Sequence, residues 1–219
     1  MSESKITVYP SRAFKDNARL ALTDGKLRQS LRGSMDFLMA KRLAEFPDEA
    51  ELSALRTLGE GIRQRCLSRL PDLLEQLEDK LAANGVKVHW AETAEEANRI
   101  IHRIVAARNG KLMVKGKSMV SEEVELNHYL ADQGVEAVES DMGEYIVQLA
   151  GEKPTHIIMP AIHKTKQDIA KLFHEQLPDT PYTEDVDALI QIGRRVLRRK
   201  FLDADVGLSG VNFAVAETG

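Results

Sequence analysis

Cysteine is all but absent: Cys66 is the one thiol in 219 residues. A lone cysteine closes no internal disulfide and cannot by itself ligate a metal cluster, so a disulfide-stapled fold is excluded and a reducing, cytoplasmic setting is expected. Long apolar runs are missing as well. No window approaches the ~18 uninterrupted apolar residues of a membrane span, and the opening residues lack the apolar core of a signal peptide. No charge of one sign dominates: the net charge is -4 and the pI about 5.9, which gives a nucleic-acid partner no support. Internal repeats and low-complexity segments are also lacking. What remains is an ordinary soluble composition, 43% hydrophobic and 29% charged, in a chain long enough for one large domain or a domain with a helical extension.

The first third reads as helix. Residues 12–23 and 27–45 are rich in helix formers, with Gly25 and Pro47 as breaks. Leu55, Gly59, Ile62, Cys66, Leu70, Leu73, Leu77 and Leu81 then recur every three or four positions, one stripe of a long amphipathic helix. Cys66 lies on that stripe and reads as a small core residue. Pro71 predicts a kink or restart, and Asn84-Gly85 a C-terminal stop.

Beyond Gly85 short strands and helices alternate. Strands are predicted at residues 86–90, 111–115, 135–138, 156–159 and 211–216. The capping box at Thr93 and Glu96 opens a helix whose inner face is Ala97, Ile100, Ile101, Ile104 and Val105. Further helices are predicted over 118–131, from Thr165 to about 176, and from a Thr183 cap through Val186, Ile190, Gly193, Leu197 and Phe201. The alternation predicts a mainly parallel sheet flanked by helices. The expected organisation is an N-terminal helical region, residues 1–84, followed by an α/β domain, residues 85–219.

Candidate site residues cluster at strand-to-helix junctions. Lys115, Gly116, Lys117 and Ser118 end one apolar run just where a helix begins, so two ammonium groups and free backbone N–H groups stand where an anion is well held. The spacing is not that of a Walker loop, and Ser118 can equally be an N-cap with the lysines solvated. Asp141, Glu144 and Tyr145, beside Gly143, either line a pocket and serve proton transfer or form a turn with a half-buried tyrosine. His163, Lys164 and Thr165 set an imidazole, an ammonium and a hydroxyl at a second junction, suited to a carboxylate or phosphate more than to a metal. Two such junctions in one sheet can converge on one anion. Arg194, Arg195, Arg198, Arg199 and Lys200 read as a solvated helix face, and His89, His102, His128, His156 and His174 show no ligand spacing. Glu217, before Thr218-Gly219, is either a nucleophile or base, or a turn residue.

The stretch from Met113 to Asn127, with Gly143-Glu144-Tyr145-Ile146-Val147-Gln148-Leu149, Pro160-Ala161-Ile162-His163-Lys164-Thr165 and the closing Asn212-Phe213-Ala214-Val215-Ala216-Glu217-Thr218-Gly219, resembles the lactate-utilisation (LUD) domain and, within it, the iron–sulfur subunit family called lactate utilization protein B. The resemblance implies a fold of the ribose-5-phosphate isomerase and CoA-transferase type. It also implies a place among the sister subunits of a cytoplasmic complex that oxidises L-lactate to pyruvate. The family's iron–sulfur subunit continues into a ferredoxin-like region with two cysteine runs, which implies two 4Fe–4S clusters in the full-length protein and none in this stretch. The chain is therefore expected to be a fragment whose sheet lacks its C-terminal part, with a cut edge liable to self-association. By analogy with CoA-transferases of similar fold, Glu217 is a possible counterpart of their glutamate. The alternatives are a stand-alone phosphate- or CoA-handling enzyme using Glu217 or His163, and a subunit-docking module.

Overall fold

The structure, a computed structural model, describes residues 14–219. The expected helix start at Arg12 lies outside the described residues. Helices α1 (Phe14–Thr23), α2 (Gly25–Glu45), α3 (Glu49–Ser68) and α4 (Leu70–Ala83) form the N-terminal helical region. Asp48 caps α3, accepting from the backbone N–H groups of Ala50 and Glu51. The break between α3 and α4 falls at Arg69, with Pro71 in the first turn of α4 where its missing N–H costs nothing. Asn84 then ends α4, and Gly85 follows at φ 81.

The remaining elements are α5 (Ala94–Ala106), β1 (Leu112–Lys115), α6 (Met119–Glu123), α7 (Leu126–Asp132), β2 (Glu136–Glu139), α8 (Met142–Leu149), α9 (Lys166–Gln176), α10 (Val186–Asp203) and β3 (Val206–Leu208). The fold is α/β. Among the described residues three strands, all parallel, run in the order β2-β1-β3, and helices flank them. Register runs from Leu112↔Glu136 to Lys115↔Glu139 on one side and from Met113↔Val206 to Lys115↔Leu208 on the other. Asp205 fixes the second register: its carboxylate accepts from Leu112 N at 3.0 Å and its own N–H donates to Leu112 O at 2.9 Å.

The chain divides into two compact units. The first holds the described residues up to Leu38, with Leu112–Lys117 and Glu136–Leu208. Its core is Val138, Tyr145, Ile146, Ala170, Phe173, Leu177, Leu189, Ile192 and Leu197, where α8, α9 and α10 meet the sheet. Each of the valine, leucine, isoleucine and phenylalanine side chains contributes roughly 1.5–3 kcal/mol by leaving water. Gly193 on α10 faces the Met142 thioether, so a Cβ there would make the end of that side chain turn aside. On the outer side of α10 Arg194, Arg195, Arg198 and Arg199 are exposed, and Lys200 pairs with Glu136 at 2.6 Å. The second unit comprises Met39–Lys111, Ser118–Val135 and Ser209–Gly219. There Thr93 caps α5 as expected, accepting from Glu96 N.

Several sequence expectations are corrected. The helix over 118–131 is two helices, because Glu125 adopts φ 53 and the Val124 carbonyl is taken by the Asn98 side chain at 2.7 Å. Residues 86–90 form no strand, and Trp90 instead donates to Glu78 at 3.1 Å. Residues 156–159 bend because the His156 ring accepts from both Ile158 N and Met159 N, at 3.1 and 3.0 Å, pulling the backbone into a turn. Residues 211–216 are not a strand either. Val215 O collects the N–H groups of Thr218 and Gly219, and Asn84 donates to Thr218 O at 2.8 Å. The expected self-associating edge at 211–216 thus has no strand beneath it. The last strand is β3, and the cap of α10 is Asp185 rather than Thr183. Cys66 is exposed, not core, as are Leu55, Ile62 and Leu70 on the same stripe. Among the described residues no helix is long and apolar enough to cross a membrane.

Candidate functional site

Parallel strands deliver their C-terminal ends to one side, and that is where chemistry-bearing residues collect in α/β sheets. Here β1 ends in Lys115 and β2 in Glu139, neighbours in register. The Lys115 side chain has no exposed surface, that of Glu139 is 6% exposed, and the two form a buried ion pair. Ser140 secures the same corner, its N–H and its hydroxyl both donating to Lys115 O at 2.9 Å. Gly116 N donates to Leu208 O at 2.7 Å, continuing the β1–β3 ladder by one residue.

Lys117 is turned differently. Its ammonium donates to Ile158 O at 3.0 Å and lies 3.6 Å from Asp141, with about a third of the side chain exposed. Asp141 caps α8, accepting from Gly143 N at 3.0 Å and Glu144 N at 3.1 Å. The segment expected to be a turn is therefore the first turn of a helix. That cap brings Glu144 and Tyr145 inward, to 3% and 6% exposure, so the tyrosine is buried rather than half-buried. Burial, with the Glu139 charge beside it, pushes the Glu144 carboxyl up to about 7 against the pull of Lys117 and Lys115. Burial likewise raises the Tyr145 phenol, helped by Glu136. One turn on, Gln148 clamps α8 to β2: its amide N–H donates to Ala137 O at 2.7 Å and its carbonyl accepts from Glu139 N at 3.0 Å.

The loop between α8 and α9 reaches the same corner, since Lys117 holds its Ile158 carbonyl. Gly143 also stands against this loop: a Cβ there would sit 3.2 Å from Pro160 Cδ. Within the loop His163 bridges Thr155 Oγ1 at 2.8 Å through Nδ1 and Glu152 at 2.7 Å through Nε2. Lys164 pairs with the other oxygen of Glu152. Partial burial would raise the Glu152 carboxyl, but the hydrogen bonds from Lys164 and His163 outweigh it and hold the group below the usual range. α9 begins at Thr165 as expected, in a capping box that Thr165 forms with Asp168. Burial acts upward on Asp168 too, yet Lys26 and Thr165 hold it down at about 2.

Lys115, Gly116, Lys117, Glu144, Tyr145, His163, Lys164 and Thr165 thus all belong to the first unit, and Lys117 links the two junctions. Ser118 and Glu217 belong to the second unit. Ser118 caps the five-residue α6, accepting from Ser121 N at 3.3 Å. Glu217 is exposed in the terminal turn. Sequence reasoning missed Glu139, Glu152 and Thr155. The signal for Glu139 was present, as an apolar run ending in a carboxylate that matches the run ending in Lys115. Among the described residues no group of three or more histidine, cysteine or acidic side chains could hold a metal ion.

The LUD domain family matches residues 74–219. Lactate utilization protein B of Bacillus subtilis (strain 168) is 41% identical over 208 residues, covering 94% of this chain and 43% of the relative. The protein of that name from Bacillus pumilus (strain SAFR-032) is 42% identical over 214 residues, covering 95% of the chain and 44% of the relative. The uncharacterized electron transport protein YkgF of Escherichia coli (strain K12) is 37% identical over 210 residues, covering 94% and 43%. The chain spans less than half the length of these curated relatives. No solved structure matches it. With a match that begins in α4 and includes the whole sheet, the chain belongs to the LUD domain family.

Proposed function

We propose that this chain is the non-cluster portion of an iron–sulfur electron-transfer subunit in a cytoplasmic complex that oxidises L-lactate to pyruvate, and that the C-terminal end of its sheet holds a small anion. The observation that carries the reading is the 41% identity to a lactate utilization protein B across 94% of the chain. The residues present do not fit an iron–sulfur cluster, because Cys66 is the only cysteine. On this reading the clusters lie in the ferredoxin-like region of the full-length protein.

What this chain offers is a cation at a strand end. Lys115 is occupied by Glu139, so Lys117 is the ammonium that meets an incoming carboxylate, exchanging its bond to Ile158 O for a charge-assisted one. His163 and Lys164 stand on the same loop, held by Glu152. Deleting the gene should abolish growth on L-lactate and spare growth on glucose, with recovery on complementation. Normal growth of the deletion strain on L-lactate would refute the role. For the anion site, L-lactate titrated into the parent and into Lys117→Ala should bind the parent more tightly, and equal affinity would refute it.

A docking role for the N-terminal helices is favoured by a separate observation. Leu43, Leu55 and Leu58 on α2 and α3, all in the second unit, are about half exposed, a display suited to sister subunits. Leu43→Asp with Leu58→Asp should lower co-purification of those subunits without unfolding the chain.

A further inference from the structure

The corner where β1 and β2 end is one positive charge short. Lys115 balances Glu139, and Lys117 lies beside Asp141, which leaves Glu144 as a third carboxyl with no cation of its own. Glu144 is 3% exposed, and its Oε2 is buried without a hydrogen-bond partner. An ionised carboxylate with one oxygen taken from water and given no donor is disfavoured, whereas a neutral acid in the same place is tolerated. We propose that Glu144 is a proton-loading site: it is held as a neutral carboxylic acid at the C-terminal end of the sheet and exchanges one proton in step with the charge of what binds beside Lys117.

The groups that face it define the sense of the coupling. From β1 and its continuation come Lys115 and Lys117, from β2 Glu139, and from its own helix cap Asp141. The loop before α9 brings Glu152, His163 and Lys164, whose charges are engaged with one another, and Asp168 is engaged with Lys26. Burial acts first, then Glu139, and the balance places the carboxyl at about 7. An anion resting on Lys117 would neutralise the cation that most favours Glu144 ionisation. Binding should then take up a proton and, by reciprocity, tighten as the pH falls. If one proton is fully coupled, affinity changes by up to about tenfold per pH unit above the midpoint.

Only this coupling rests on the anion reading; the proton site stands without a ligand. Infrared titration of the whole chain should show a protonated-carboxyl C=O band that vanishes with a midpoint of about 7. The band should be absent from Glu144→Gln and move to higher pH in Lys117→Ala, where a stabilising cation is gone. No carboxyl band surviving above about pH 6, or the same band persisting in Glu144→Gln, would overturn the assignment. Calorimetry with L-lactate in buffers of different ionisation heat then reads the coupling. Proton uptake in the parent and none in Glu144→Gln supports it, and binding without uptake overturns it. A titrating band with no L-lactate binding would refute the anion reading while leaving the proton site in place.

Discussion

The buried pair Lys115–Glu139 offers the sharpest test of how this sheet is held. Glu139→Gln keeps the shape and removes the charge, leaving an ammonium with no exposed surface and no counter-ion. Breaking a buried pair from one side typically costs about 3–5 kcal/mol. A lysine of ordinary pKa can instead discharge by losing its proton, which at pH 7 costs about 4.6 kcal/mol, so the penalty has a ceiling of that size. The ceiling drops by about 1.36 kcal/mol for each pH unit gained, to roughly 2 kcal/mol at pH 9. Glu144 nearby recovers part of the loss, because removing Glu139 lowers the cost of ionising it. The expected loss is therefore about 3 kcal/mol at pH 7, falling to no more than about 2 kcal/mol at pH 9, read by urea unfolding at both values. Lys115→Met with Glu139→Leu, which removes both charges together, should fall within about 1–2 kcal/mol of the parent. If Glu139→Gln unfolds at the parent's urea concentration at pH 7, or if its deficit grows with pH, the reasoning about an uncompensated buried charge is wrong.

Three further outcomes follow from other corners of the fold. The raised Glu144 carboxyl means the folded state holds that proton more tightly than the unfolded chain, so its contribution is full below 4.5 and lost as pH rises through about 7. Glu144→Gln should accordingly be more stable than the parent at pH 8, by about 1–3 kcal/mol, and equal to it near pH 4, in denaturant titrations. Asp168 has the opposite sign: its lowered carboxyl adds stability above 3.8 that disappears as pH falls through about 2. Asp168→Asn should then cost about 1 kcal/mol at pH 7, the partly exposed ion pair with Lys26 being screened by solvent. Gly193→Ala should lower stability by no more than about 1 kcal/mol in denaturant titrations, because the flexible end of Met142 can turn away from the new methyl group.

Local signals were legible and tertiary ones were not. The Thr165–Asp168 box, the Thr93 cap and the Asn84-Gly85 stop follow from side chains acting within four residues, and each stands where the sequence puts it. β1 and β2 were legible as short apolar runs. Helix α8 was not, because Gly143 reads as a turn while its true role is to let the helix start close to Pro160. The run at 156–159 looks like a strand by residue type, yet one imidazole accepting two backbone N–H groups bends it. Cys66 shows the limit of periodicity, which finds the apolar face of a helix without saying what covers it. At the site, Lys117 and His163 could be found from their junctions. The Lys115–Glu139 pair requires knowing that two strands some twenty residues apart lie parallel and in register.

Gln148 does for β2 what a neighbouring strand would do. Ala137 O and Glu139 N both face away from β1, and one carboxamide satisfies the two together. A passing chain in extended form meets occupied groups there, so this margin is a poor template for intermolecular strand addition. The protection exists only once α8 has docked, which makes the placement of a two-turn helix the step that closes this side of the sheet during folding. A copy caught before that step, or one carrying Gln148→Leu, would present β2 as an open margin. Its aggregation would then report on α8 rather than on the strand itself.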